Sequence, residues 1–119
     1  MTAINLNEKL NMFDDFWKPR VIAELNGQQV KISKVKGEFV WHDHKNEDEL
    51  FYILKGTLRM EFRDRVVEVT AGEMIVVPMG VEHRPVATEE VWMMLFEPAN
   101  IKHTGEVKSH LTVDSYEKI

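Results

Sequence analysis

The spacing of hydrophobic residues changes once along the chain, near residue 20. Before that point Leu6, Leu10, Phe13 and Trp17 recur at spacings of four, three and four, which predicts one face of a short amphipathic helix. Asn5 and Glu8 form a capping pair at its start, and Pro19 ends it because the residue before a proline avoids the helical region. From Val21 onward the period is two. Strands over 21–25 and 29–35 flank Asn26-Gly27, a hairpin turn whose two residues accept positive φ. Further strands are expected over 38–44, 49–54, 57–62, 66–69, 74–77, 83–86 and 91–97. Lys55-Gly56, Asp64-Arg65, Ala71-Gly72, residues 78–80 and residues 88–90 separate them. In the strand from Thr57, residues Leu58, Met60 and Phe62 face inward and Arg59, Glu61 and Arg63 face water. Many short strands with turn residues at near-regular spacing predict an all-β antiparallel sandwich or barrel. The expected organisation is one domain, with a helical segment over 1–20, a barrel over 21–97 and a polar tail over 98–119 that crosses the surface or stays mobile.

Composition narrows the function. Lys plus Arg is 15 and Asp plus Glu is 20, a net charge of −5 with no basic run, which argues against nucleic acid and anionic membrane surfaces as partners. The chain has no Cys, so disulfides, thiolate nucleophiles, zinc ribbons and iron–sulfur clusters are excluded. The opening MTAINLNEKLNMF lacks a basic stretch followed by an apolar one, and no apolar run approaches a membrane span; a cytoplasmic location is expected.

Three of the five histidines sit where they can do chemistry. His42 and His44 are two apart on an expected strand, so both rings leave the same face. Glu49 opens the next strand on the face of Phe51 and Ile53, and His83 follows the Pro78-Met79-Gly80 turn. These four groups converge only if the sheet curls. Neutral imidazole with carboxylate suits borderline divalent metals, and four protein donors leave up to two octahedral positions open, as a catalytic metal requires. His103 and His110, in the tail, are expected to be solvent-exposed. Tyr52 and Arg84 point away from the cavity by strand parity, while Glu82 lies in a turn. Trp41, Trp92, Phe39 and Phe96 are assigned to core or interface, and Val40, Phe51, Ile53, Leu58, Met60 and Phe62 to the wall around the metal. No Lys or Arg occupies a clearly inward position, which disfavours a sugar phosphate and favours a small apolar or aromatic molecule with chelating oxygens.

The pattern Gly37-x4-His42-x-His44-x4-Glu49-x6-Gly56 resembles the first motif of the cupin superfamily, and Gly72-x5-Pro78-x-Gly80-x2-His83 resembles the second. Fifteen residues separate Gly56 from Gly72, as in small single-domain bacterial cupins of the mannose-6-phosphate isomerase-like type. Two positions depart from the family pattern: Gly37 is one residue nearer His42, and Ala87 stands where an asparagine is common. The resemblance implies a double-stranded β-helix, or jelly-roll barrel, with a short N-terminal helix. It implies one divalent transition metal (Fe, Mn, Ni, Zn or Cu) held by His42, His44, Glu49 and His83. It also implies a homodimer formed by sheet extension, consistent with the edge left by the hairpin over 21–35. The expected function is a metal-binding cupin acting as a small-molecule enzyme of dioxygenase, isomerase or decarboxylase type. The alternative is a non-catalytic metal-dependent module that binds or senses a small molecule.

Overall fold

The structure is a computed structural model and describes residues 1–99, 101–113 and 115–119. In chain order these residues form α1 (Leu6–Leu10), β1 (Arg20–Leu25), β2 (Gln28–Glu38), β3 (Glu49–Lys55), β4 (Thr57–Phe62), β5 (Val66–Thr70), β6 (Met74–Val77), β7 (His83–Pro98) and β8 (Glu117–Lys118). The fold is all-β with a short N-terminal helix, as the sequence predicts.

Asn5 caps α1 by accepting the Glu8 backbone N–H at 3.0 Å. The helix ends at Leu10 and does not extend to Trp17 as expected. A helix this short has little stability of its own, and the sheet competes for the residues beyond it. Trp17 adopts a φ of 63°, its backbone N–H donates to the Lys34 carbonyl at 2.9 Å, and its indole N–H donates to the Lys36 carbonyl at 2.8 Å. The segment is thereby drawn across β2.

β7 is the spine of the sheet. Along one edge it pairs antiparallel with β2, from Gln28↔Pro98 to Glu38↔Val86. Along the other it pairs first with β4, Phe62↔His83 to Arg59↔Val86, and then with β3, Lys55↔Trp92 to Leu50↔Phe96. β5 extends the β4 arm and β6 extends the β3 arm. The turn expected over 88–90 is therefore absent, and one strand replaces two. The register skips from Val35↔Val91 to Gly37↔Ala87, so the polar Thr88-Glu89-Glu90 triplet forms an outward bulge where a turn was predicted. The strand expected over 38–44 is also absent. β2 runs on to Glu38, and residues 39–48 leave the sheet as a loop that rejoins it at the single bridge His42↔His83. β8 lies parallel to β1 at Arg20 and Val21, covering part of the hairpin edge that had been expected to be open.

The two arms fold toward each other over one core. Phe51 and Ile53 from β3, Leu58 and Met60 from β4, and Val91, Met93 and Leu95 from β7 all face it. Leu58 and Met60 are fully buried, and each contributes about 2 kcal/mol by leaving water. β2 inverts the usual rule. Its inward residues are Gln29, Lys31, Ser33 and Val35, while Ile32 on the opposite face is buried as well. The N-terminal segment packs on β2, where Lys34 Nζ donates to the Phe13 carbonyl at 2.7 Å. The expectation of no inward cation is thus corrected: Lys31 is fully buried, with Nζ 2.9 Å from Glu97 Oε1.

In the tail, the expected exposure of His103 is corrected. Ile101, His103 and Thr104 are buried, while His110 is exposed as expected. Tyr116 secures the turn: its hydroxyl donates to the Ile101 carbonyl and accepts the His103 backbone N–H, each at 2.6 Å. Among the described residues no helix is long and apolar enough to cross a membrane.

Candidate metal centre

His42 and His44 lie on the loop between β2 and β3, Glu49 opens β3, and His83 opens β7. The loop is tied to the turn before β7. His42 and His83 exchange backbone hydrogen bonds of 3.0 and 2.9 Å, the Gly80 N–H donates to the His44 carbonyl at 2.8 Å, and the Met79 N–H donates to Asp48 Oδ1 at 2.8 Å. The structure therefore brings together all four residues singled out from the sequence. One donor atom from each lies within 4.8 Å of the others, and all four side chains are buried. The loop, rather than strand alternation, places the rings of His42 and His44.

The tautomers are set by the backbone. His42 Nδ1 and His83 Nδ1 each sit 2.9 Å from a carbonyl oxygen, of Val40 and Val81 respectively. A protonated Nδ1 donating there leaves each Nε2 as a bare lone pair. His44 Nε2, His83 Nε2 and Glu49 Oε1 are buried without a hydrogen-bond partner, and both imidazole nitrogens stand 3.4–3.5 Å from that oxygen. Buried orphaned acceptors facing one point are costly unless a cation satisfies them. The residues thus fit a divalent metal.

Electrostatics agree. Burial, reinforced by neighbouring His83, pushes the His42 imidazole down to about 4, so it is neutral near pH 7. Burial also opposes charge on His44, but the Glu49 carboxylate outweighs it and raises that pKa. Burial would raise Glu49. The close approach of Glu97, His44 and His83 overcomes this and holds it well below the usual carboxylate range. Glu97 moves the opposite way, pushed up by burial and by the Glu49 charge.

A narrow cavity of about 20 Å³ adjoins the cluster, with His42 and Glu49 in its wall. Trp17, Phe39, Phe51, Met93 and Leu95 line it, and Trp17 stacks on Phe39 at 4.6 Å. Ser33 and His103 add polar groups. His103, expected to be exposed, is 6% exposed because its Nε2–H donates to the Trp17 carbonyl at 3.1 Å and draws the tail onto the sheet. Its Nδ1 has no partner, and burial lowers its pKa. Sequence reading passed over His103 because the tail has no period. Parity points outward for Arg84, and it is half-buried on ion pairs to Glu61 and Glu38.

Comparison with known proteins places this geometry. A cupin-2 domain containing protein from Shewanella frigidimarina is 52% identical, with a TM-score of 0.80, covering 81% of this chain and 94% of that one. Protein NMB1881 from Neisseria meningitidis is 30% identical, with a TM-score of 0.75, covering 82% of this chain and all of that one. The uncharacterized protein YdbB of Bacillus subtilis is 38% identical over 64 residues, which is 53% of this chain and 57% of that protein. Residues 29–98 match the Cupin_2 cupin-domain profile. Strand order, a converging His-His-Glu-His cluster and this match agree, and the chain belongs to the Cupin_2 family of cupin domains.

Proposed function

We propose that the chain is a mononuclear metalloenzyme of small-molecule metabolism, with His42, His44, Glu49 and His83 as the ligands of one divalent transition metal. The observation that carries the reading is the set of three orphaned, buried acceptors turned toward one another beside His42. In this reading residues 21–97 are the barrel, and the flanking segments 1–20 and 98–119 complete its cavity with Trp17 and His103. A metal bound there supplies Lewis acidity or, as iron, redox chemistry with O₂.

The protein's own groups define the ligand. Aromatic and aliphatic side chains exclude water, and no Lys or Arg lines the cavity, Lys31 being held by Glu97. A sugar phosphate finds no cationic clamp. The chemistry of the lining suits a small aromatic or apolar molecule with one or two oxygen donors, and neutral His103 can accept a proton at Nδ1. Self-association as a homodimer through the remaining β1 edge belongs to the same reading and requires twice the monomer mass in solution.

The test is metal analysis of purified protein, before and after reconstitution. One equivalent is expected, lost in His83→Ala; no stoichiometric uptake refutes the reading. A second reading, ligand capture without turnover, is favoured by the scarcity of polar groups in the cavity wall outside the cluster, Ser33 and His103 alone. Catechols or dicarboxylates that shift the spectrum of the loaded protein without O₂ uptake or product favour capture. Turnover abolished by His83→Ala favours the enzyme.

A further inference from the structure

Behind the cluster lies a buried charge network. Lys31 Nζ donates to Glu97 Oε1 at 2.9 Å, and neither side chain is exposed. The Tyr116 ring lies over Nζ at 4.0 Å. Glu97 stands beside Glu49 across the sheet, one position past the Leu50↔Phe96 pair of β3 and β7, and its Oε2 is buried with no hydrogen-bond partner. Strand parity puts Glu97 there, one step beyond Val91, Met93 and Leu95 on the inward face of β7.

Such a network is a poor way to fill a core. Two charges withdrawn from water recover their solvation only in part, and an apolar pair of equal volume is often as stable or more so. Two carboxyl groups in contact repel unless one proton lies between them. What the arrangement provides is an oriented Glu49. With Glu97 packed beside it, Glu49 turns Oε1 toward His44 and His83, at 3.4 and 3.5 Å.

We propose that Lys31 and Glu97 are positioning residues for Glu49: Lys31 fixes the Glu97 carboxyl, and Glu97 holds Glu49 so that Oε1 faces the imidazoles. The inference rests on the metal reading above and deepens it.

Co²⁺ is the probe. Its affinity, from competition with a chromophoric chelator, and its visible spectrum are read for wild type, Glu97→Gln, Glu97→Leu and the double variant Lys31→Met/Glu97→Leu. Glutamine still accepts from Lys31 and offers an N–H to Glu49, without titrating. Glu97→Gln is expected to stay within about threefold of wild type with the same spectrum. Glu97→Leu and the double variant are expected to lose about 10- to 100-fold and to shift the spectrum, as when a group orienting a metal ligand is removed. The double variant removes both charges together, so it folds even where the single leucine does not; thermal melting of the apo-proteins checks this. A folded double variant with wild-type affinity and spectrum overturns the inference, as does a glutamine variant no better than leucine. Wild type that takes up no divalent transition metal is a different outcome and removes the metal reading itself.

Discussion

Replacing Tyr116 with phenylalanine deletes one oxygen atom and tests the docking of the C-terminal segment. That oxygen donates to the Ile101 carbonyl and accepts the His103 N–H, each at 2.6 Å. Ile101 and His103 are each 6% exposed, so neither backbone group gains free access to water when the hydroxyl is gone. A buried polar group left unpaired costs about 1–3 kcal/mol. Tyr116 is only half-buried, and solvent entering from its open side favours the low end. The two losses together come to about 2–3 kcal/mol. The ring remains over Lys31, so the charge network is untouched. For a domain of this length the thermal midpoint should fall by about 10 °C. Urea unfolding should give the same loss with an unchanged m-value, and the His103 amide should exchange faster. A cost below about 0.5 kcal/mol, with the His103 amide still protected, would refute the argument.

Metal affinity should fall with acid, since protons compete for the same nitrogens. His44, whose pKa is raised, is protonated before His42, which stays neutral down to about 4. The expected loss is about tenfold per pH unit for each imidazole titrating, read by chelator competition at pH 7.5, 6.5 and 5.5; a flat profile contradicts it. Apo-protein stability should also decline as pH drops through the ordinary histidine range. His103 has a depressed pKa when folded, so the unfolded chain binds a proton that the native state refuses, and the decline should be shallower in His103→Gln. Leu58→Ala, at a fully buried site, should cost about 3 kcal/mol in urea unfolding. Gly56→Ala should cost at least about 2 kcal/mol, since φ is 85° and a Cβ would lie 2.8 Å from the Glu90 carbonyl oxygen.

Strand periodicity was readable wherever one face met the core and the other met water. Leu58 and Met60 alternate with Arg59 and Glu61, and β4 is where the pattern places it. The reading failed where a face was covered by something without a period of its own. β2 shows apolar Val30 and Ile32 on its outer side, under the N-terminal segment, and Lys31 and Ser33 within, so parity by hydrophobicity misleads there. Thr88-Glu89-Glu90 has the composition of a turn, yet β2 pairs β7 on both sides of it and carries the strand through. The four clustered residues could be found because their spacing is itself a signal. His103 and Glu97 could not be found that way, since their partners, Trp17 and Lys31, are 86 and 66 residues away. One available clue to Glu97 was its parity with Leu95.

β7 has a consequence for biogenesis. Both arms and β2 hydrogen-bond to it, and the pairing Gln28↔Pro98 joins positions seventy residues apart. A ribosome that has synthesised only as far as β6 has made the β4–β5 and β3–β6 arms with nothing to lean on, and the long loops between paired strands must close before their contacts repay the entropy. β7 begins at His83, so the backbone that unites the sheet and the last of the four clustered side chains emerge together. Assembly of the sheet and completion of the donor set are therefore a single folding event, and a nascent chain halted before residue 83 should possess neither.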